Sequence, residues 1–324
     1  MTTTNRQHRL QKLALKRELR RNPTAKYPLG ASPLWRLGGP NELAKLLGMS
    51  IDQIQLIAKI PSYKCFDEYP KKPGKAPRHI QEPRDQTLDL HYRFTKFLDR
   101  IIRPSFLHSA TKKRSHVTNA EAHCGSDPVV CTDIQKFYEN TTRAHVKAFL
   151  LTDLGWPLDL AALMASALTI NGHLPTGSAV SPLLSYFTHR TRFAEIEQIC
   201  TSAECKVTLF VDDITVSGKR ASMTLLRRIK RVLLKAGLVA HKDRSAPEGS
   251  AVVITGAVRE GSMLRLRNKH RKNIVDLLRQ IEAGDQSIKE LTRSKIAAAK
   301  TVDVVGATPL EEKFRQLSNM HSEF

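Results

Sequence analysis

The stretch TLFVDDITVSG, Thr208–Gly218, sets two adjacent aspartates inside a run of β-favouring residues. The flanking Val, Phe, Ile and Thr predict two short strands, with Asp212 and Asp213 at the turn between them. Asp is a good turn residue that bonds its own backbone, so a plain hairpin accounts for the pair. A pair of metal ligands on a hairpin tip accounts for it equally. The stretch alone does not choose, and the choice rests on what the rest of the chain brings to the same place.

Working outward, VVCTDIQ (residues 129–135) predicts a short strand ending in Asp133. A helical region follows from Arg143 to Ile170, broken at Gly155–Pro157. HLPTGSAVSPLLSYFTHRTRFAEIEQIC then predicts a helix capped by Ser181, with Pro182 in its first turn and Leu183, Leu184, Phe187, Ile196 and Ile199 on its apolar face. Beyond the hairpin come a helix, MTLLRRIKRVLLKAGL, ending near Gly237, and a strand, AVVITGAV. From 129 to 258 the order is strand, helices, hairpin, helix, strand. That is the β-α-β-β-α-β layout of an α+β protein, an antiparallel sheet with helices on one face. In it, Asp133, Asp212 and Asp213 converge on one sheet edge. Carboxylates so placed raise each other's pKa, and Mg²⁺ would both relieve this and make the group useful for nucleotidyl transfer. Nucleases also use such clusters.

The totals agree with a nucleic-acid partner. Lys and Arg number 52 against 31 Asp and Glu, a net charge of +21, and such an excess points to a polyanion. No apolar run approaches the length of a membrane span. The start, MTTTNRQHRLQKLALKRELRR, lacks the apolar core of a signal peptide. Cys65, Cys124, Cys131, Cys200 and Cys205 form no CxxC pair, which suits reduced thiols and a cytoplasmic location.

Before residue 129 the chain reads as a basic helix over 5–21, stopped by Pro23, and then a Pro/Gly-rich link. Two short amphipathic helices follow, with Asn41 and Ser50 as N-caps and Gly48 as a C-cap. Two strands around the basic loop KKPGK come next, and then a helix from TLDLHYRFTKFLDRII. The segment from MLRLRNKHRKNIVDLLRQI onward is basic and helical.

Several of these stretches resemble one family. CTDIQKFYENT resembles the first catalytic motif of reverse transcriptases, LPTGSAVSP their substrate-helix motif, and FVDD their YxDD motif. PRHIQEPRDQTLDL resembles the R-x-I-x-x-P stretch of their fingers. TNAEAHCG, with Asn119 and His123, is similar to the N-A-x-x-H motif of bacterial retron-type reverse transcriptases, and VITG (Val253–Gly256) to their V-T-G. The resemblance implies a right-hand polymerase: a basic N-terminal extension (1–40), fingers (41–128), a palm with the catalytic site (129–258), and a helical thumb with the C-terminal tail (259–324).

It also implies roles. Asp133, Asp212 and Asp213 would be catalytic and, with the Ile134 carbonyl, would hold two Mg²⁺ ions. Arg78 and Lys75 would clamp the dNTP triphosphate, with the amides of Lys136 and Phe137 facing it. Tyr138, five residues past Asp133, would exclude a ribose 2′-hydroxyl, and Gly177 would approach the nascent base pair. Asn119, His123, Arg265, Arg267, Lys269, Arg271 and Lys272 would meet RNA, although TNAE is also a capping box of Thr118 and Glu121, and the basic run also suits a solvated helix face. Partners would be a structured noncoding RNA, its cDNA, dNTPs and an effector or toxin protein, with no membrane. The chain departs from the family at Phe210 (usually Tyr), Thr176 (usually Gln), and His241–Ser245, where N-x-x-K-[ST] is usual. Arg244 stands for that lysine and is a poor acid, so Lys242 is a substitute.

The function so implied is RNA-directed DNA synthesis making branched msDNA, within an effector-linked anti-phage defence. The alternatives are another defence-associated or group II intron-like reverse transcriptase, and a catalytically silent RNA-binding scaffold that restrains an effector. The three aspartates separate the enzyme from the scaffold, which has no need of them.

Overall fold

The computed structural model describes residues 25–70 and 76–320, the last by its backbone alone. The expected helix over 5–21 and the loop KKPGK, including Lys75, lie outside these residues. Along the chain run α1 (Pro40–Leu47), α2 (Ile51–Lys59), β1 (Tyr63–Glu68), β2 (Arg78–Pro83), α3 (Asp85–Asp99), α4 (His116–Glu121) and β3 (Val129–Ile134). Then come α5 (Phe137–Asn140), α6 (Arg143–Ala148), α7 (Leu158–Ala167), α8 (Ser181–Thr188), α9 (Arg190–Ser202), β4 (Lys206–Phe210), β5 (Asp213–Ser217) and α10 (Met223–Leu234). The remainder is β6 (Ala240–Ala246), β7 (Val252–Ile254), β8 (Ala257–Glu260), β9 (Met263–Leu266), α11 (Asn268–Glu282), α12 (Lys289–Val302) and α13 (Val304–Met320). Helices and small antiparallel sheets make the class α+β. No helix among the described residues is long and apolar enough to cross a membrane.

The chain gathers into two compact units, each from three separate stretches. The first takes the chain up to Ser105, Gln135–Ala194 and Leu233–Val239; the second takes Phe106–Ile134, Glu195–Val232 and the chain from Ala240 onward.

In the first unit, β1 and β2 pair antiparallel from Tyr63↔Pro83 to Glu68↔Arg78, as the two runs around KKPGK predict. Ser50 caps α2 in a capping box with Gln53, and Gly48 ends α1 in the left-handed region at φ 63. Asn41 does not cap α1. Gly39 is the cap and Pro40 opens the helix, where its missing N–H is no loss. The break at Gly155–Pro157 is present, and it seats Trp156 edge-on to Phe94 with centroids 6.4 Å apart. The single helix expected after Pro182 is two, parted at His189. Ser181 lies inside α8, not at its cap, because its hydroxyl turns back to donate to the Pro175 carbonyl at 2.6 Å.

The second unit holds the sheet that carries the aspartates. Its strand order is β4-β5-β3-β6 and every pairing is antiparallel. Strand, helices, hairpin, helix, strand is the order expected, but the closing strand is β6, not AVVITGAV. AVVITGAV bends instead at Thr255 and Gly256, whose φ of 42 and 97 close a tight hairpin between β7 and β8. β9 adds a third strand there. Val129, Cys131 and Ala246 pack with Ala120, Val252, Ile254 and Ala257 in one apolar cluster, which joins the two sheets. Helices α11, α12 and α13 share a second core around Ile281, Ile296 and Phe314.

Candidate active site

Strand register assembles the site. Phe210 lies opposite Asp213, Asp213 opposite Asp133, and Asp133 opposite His241, so one transverse row crosses all four strands. Side chains in such a row share a face, because successive residues of each strand alternate sides. Asp212 sits in the turn between β4 and β5, and its carbonyl accepts the Ile134 N–H at 2.8 Å, tying the hairpin tip to the end of β3. Val211, the other turn residue, has φ 58. A β-branched residue in the left-handed region is strained, and such strain gathers at functional sites.

Three carboxylates at close quarters perturb one another. Burial, and then the charges of Asp133 and Asp213, push Asp212 up to about 6. Burial and then Asp133 also raise Asp213, against the lowering pull of Arg244 and Lys242. Asp133 has basic side chains as partners instead: its Oδ1 meets His241 Nε2 at 2.6 Å and Lys242 Nζ at 3.1 Å. Lys242 stands on a β-bulge. Between Asp133↔His241 and Cys131↔Arg244, β3 advances two residues while β6 advances three, and Lys242 takes φ 55. The next residue, Asp243, accepts from Thr132 Oγ1 and from Lys230 Nζ, both at 2.6 Å. Arg244 sends its guanidinium to the Val253 carbonyl at 2.9 Å.

Among the described residues no group of three His, Cys, Asp or Glu side chains is gathered as a metal cage. The donor chemistry nevertheless fits a hard cation. Asp133, Asp212 and Asp213 offer carboxylate oxygens, and two of these three groups are held above their normal pKa, so positive charge placed among them is stabilising.

The residues expected to meet a dNTP lie in the first unit, apart from Lys75 outside the described chain. Arg78 opens β2 and is exposed. Lys136, exposed and at φ 47, precedes α5. Phe137 is buried against His189 and Phe193, and half-buried Tyr138 stacks on it with centroids 6.1 Å apart. Gly177 packs on β2: a Cβ there would sit 3.0 Å from the Gln81 carbonyl oxygen, so strand contact by itself favours glycine. Beside it, Thr176 Oγ1 donates to the His79 carbonyl at 2.7 Å and accepts the Gln81 N–H at 3.1 Å. Buried His91 anchors the same loop through Ser178 Oγ at 2.7 Å.

The expected RNA contacts divide. Asn119 and His123 are buried, at 0% and 2% exposure, and neither is presented to solvent. His123 bridges Ser217 Oγ at 2.7 Å and Thr208 Oγ1 at 2.8 Å, pinning the α4 segment to the sheet. Asn119 Nδ2 donates to Thr255 Oγ1 at 3.3 Å, so the N-A-x-x-H and V-T-G stretches meet. The capping box lies one turn earlier than Thr118/Glu121, formed by Ser115 with Thr118. Arg265 faces Glu260 at 3.3 Å and Asp303 at 3.8 Å. Lys269, Arg271 and Lys272 are exposed in the opening turns of α11, preceded by half-buried Arg267. Cations at a helix N-terminus oppose the macrodipole, so an anion there would be doubly favourable.

His241 was not among the expected site residues, and Lys242 was expected only as a substitute for the family's lysine. Their strand is polar along its exposed middle, AHKDRSA, and shows no apolar alternation by which to find it. The usable signal was the position of HKDRS itself, after α10 and where the family has N-x-x-K-[ST].

With this geometry in hand, sequence comparison gives the class first. No family model matches the chain, but its curated relatives are reverse transcriptases. More particularly, the chain is similar to retron reverse transcriptases. It is 23% identical to the Retron Se72 reverse transcriptase of Salmonella heidelberg over 216 residues, 66% of this chain and 56% of that one. It is 26% identical to the Retron Ec48 reverse transcriptase of Escherichia coli over 223 residues, 63% of this chain and 54% of the relative. Against the Retron Ec86 reverse transcriptase of Escherichia coli it is 21% identical over 270 residues, 81% of this chain and 84% of the relative. The chain thus spans little more than half the length of the first two.

Proposed function

We propose that this chain is the RNA-directed DNA polymerase of a retron system, copying a structured noncoding RNA into a branched RNA–DNA product. The observation that carries the reading is the row in which Asp213 faces Asp133 across β5 and β3, with Asp212 in the adjoining turn. Similarity to retron reverse transcriptases supports it. In this reading Asp133, Asp212 and Asp213, with the Ile134 carbonyl, hold two Mg²⁺ ions. The ions would supply activation of the attacking hydroxyl and charge neutralisation at the leaving pyrophosphate. Arg78 and Lys75 bind the triphosphate with the Lys136 and Phe137 amides, Tyr138 excludes ribonucleotides, and Gly177 borders the nascent pair. The exposed cations of α11 and the net charge of +21 favour RNA as the polyanion. Fingers (41–128), palm (129–258) and thumb (259–324) are the corresponding divisions, and an effector protein in anti-phage defence is the corresponding partner.

The test is Asp212→Asn combined with Asp213→Asn. DNA synthesis on an RNA template is expected to disappear, while RNA affinity in a mobility-shift assay stays within about threefold. Persistent full-length DNA would sink the site assignment. Sequencing the nucleic acid that co-purifies is expected to find RNA joined to DNA, and unbranched DNA alone would count against the retron reading.

A further inference from the structure

His241 and Lys242 are consecutive residues of β6, yet both reach the same oxygen of Asp133, at 2.6 and 3.1 Å. A regular strand forbids this, because neighbouring side chains point to opposite faces. The bulge permits it. Lys242 takes φ 55, the extra residue on β6 shifts the register, and the following Asp243 is fastened on the far side by Thr132 and Lys230. The backbone is thus arranged, at the expense of regular pairing, to bring an ammonium to a carboxylate that His241 already partners. Lys242 is 65% exposed while Asp133 is 20% exposed, so the ammonium has open solvent to withdraw into. Its charge is also felt by Asp212 and Asp213.

We propose that Lys242 is a resident counter-cation of the carboxylate cluster, a positioning residue that holds Asp133 until a divalent ion displaces it. The inference rests on the reading of Asp133 as a metal ligand. It makes cation binding an exchange of one positive charge for another, with the bulge setting how readily the exchange occurs. An exposed ion pair is weak and sensitive to salt, which suits a group that must leave.

The experiment titrates Mn²⁺ into full-length protein freed of nucleic acid, with free Mn²⁺ read by electron paramagnetic resonance. Lys242→Met keeps the aliphatic stem and removes the charge, and Lys242→Gln is a second neutral variant. Both are expected to bind Mn²⁺ about two- to fivefold more tightly than wild type at low ionic strength. The difference is expected to shrink in high salt. Lys242→Arg is expected to keep the wild-type affinity. Asp133→Asn reports whether the binding is at this site. Equal or weaker binding in the neutral variants, with binding still dependent on Asp133, overturns the counter-cation and leaves the metal reading standing. Absence of Asp133-dependent binding in every variant overturns both.

Discussion

Thr176 serves β2 with one hydroxyl in two directions, donating to the His79 carbonyl and accepting the Gln81 N–H. It thereby extends the hydrogen-bonded edge of the strand that begins at Arg78. Thr176→Val has nearly the same shape and can do neither, so the Gln81 amide in its buried residue loses its partner. Stability measured by urea unfolding is expected to fall by about 1–2 kcal/mol, with Thr176→Ser retaining most of it. At this scale the aspartates were legible as candidates, whereas Thr176 stood out only as a departure from the family and not for its hydrogen bonds. A charge inside an apolar run violates a simple pattern and asks for a reason. A threonine in a loop violates nothing, and its partners lie in a strand remote in sequence. Asn119 and His123 were legible as a motif but not as buried groups, since sequence gives the residue type and not its depth.

Among the elements, the β4–β5 hairpin bears a cost that its sequence announces only in hindsight. Val211 at φ 58 occupies a region that L-residues other than Asn and Asp rarely visit, at roughly 1–2 kcal/mol. Val211→Asn is expected to raise the unfolding free energy by about 0.5–1 kcal/mol, read as a higher urea midpoint with an unchanged slope. A lowered midpoint would mean that the half-buried valine contributes more by packing than it loses in the backbone. The hairpin itself was readable from its two β-favouring runs, but the turn falls on Val211 and Asp212, one residue earlier than expected, and Asp213 opens β5. β6 was not, because its exposed middle carries no apolar alternation and its partner β3 lies far upstream. AVVITGAV misled in the opposite sense. It looks like one apolar strand, but positive φ at Thr255 and Gly256 makes it the bend of a hairpin.

At the level of the whole molecule, three buried histidines set a direction for pH dependence. Burial lowers His91 to about 4 and His123 to about 3, the latter helped by the charge of Lys206. Burial and then His145 lower His189 to about 3. The unfolded chain, with ordinary histidines near 6.5, binds protons that the folded chain refuses over this interval. Their contribution to stability is therefore complete above about 6.5 and is lost as pH falls towards 4 and 3. Asp212, raised to about 6, works the other way, since the folded state gains when it protonates. Asp213 is raised as well, but three histidines with larger displacements outweigh the two carboxylates. The urea midpoint is expected to fall steadily from pH 6.5 to pH 4; a flat or rising midpoint would contradict the buried neutral histidines.

The strand order also imposes a schedule. A chain made from its N-terminus completes β3, then β4 and β5, and only later β6, which borders β3 on its other side. On a ribosome, Asp133 and Asp213 can face each other before His241 and Lys242 exist to neutralise them. The nascent sheet passes through an interval in which its acidic row has no basic neighbour of its own on β6. The carboxylates of that row are then open to other cations. If those carboxylates are metal ligands as proposed, the groups that would hold the cation are made before the lysine that would leave it.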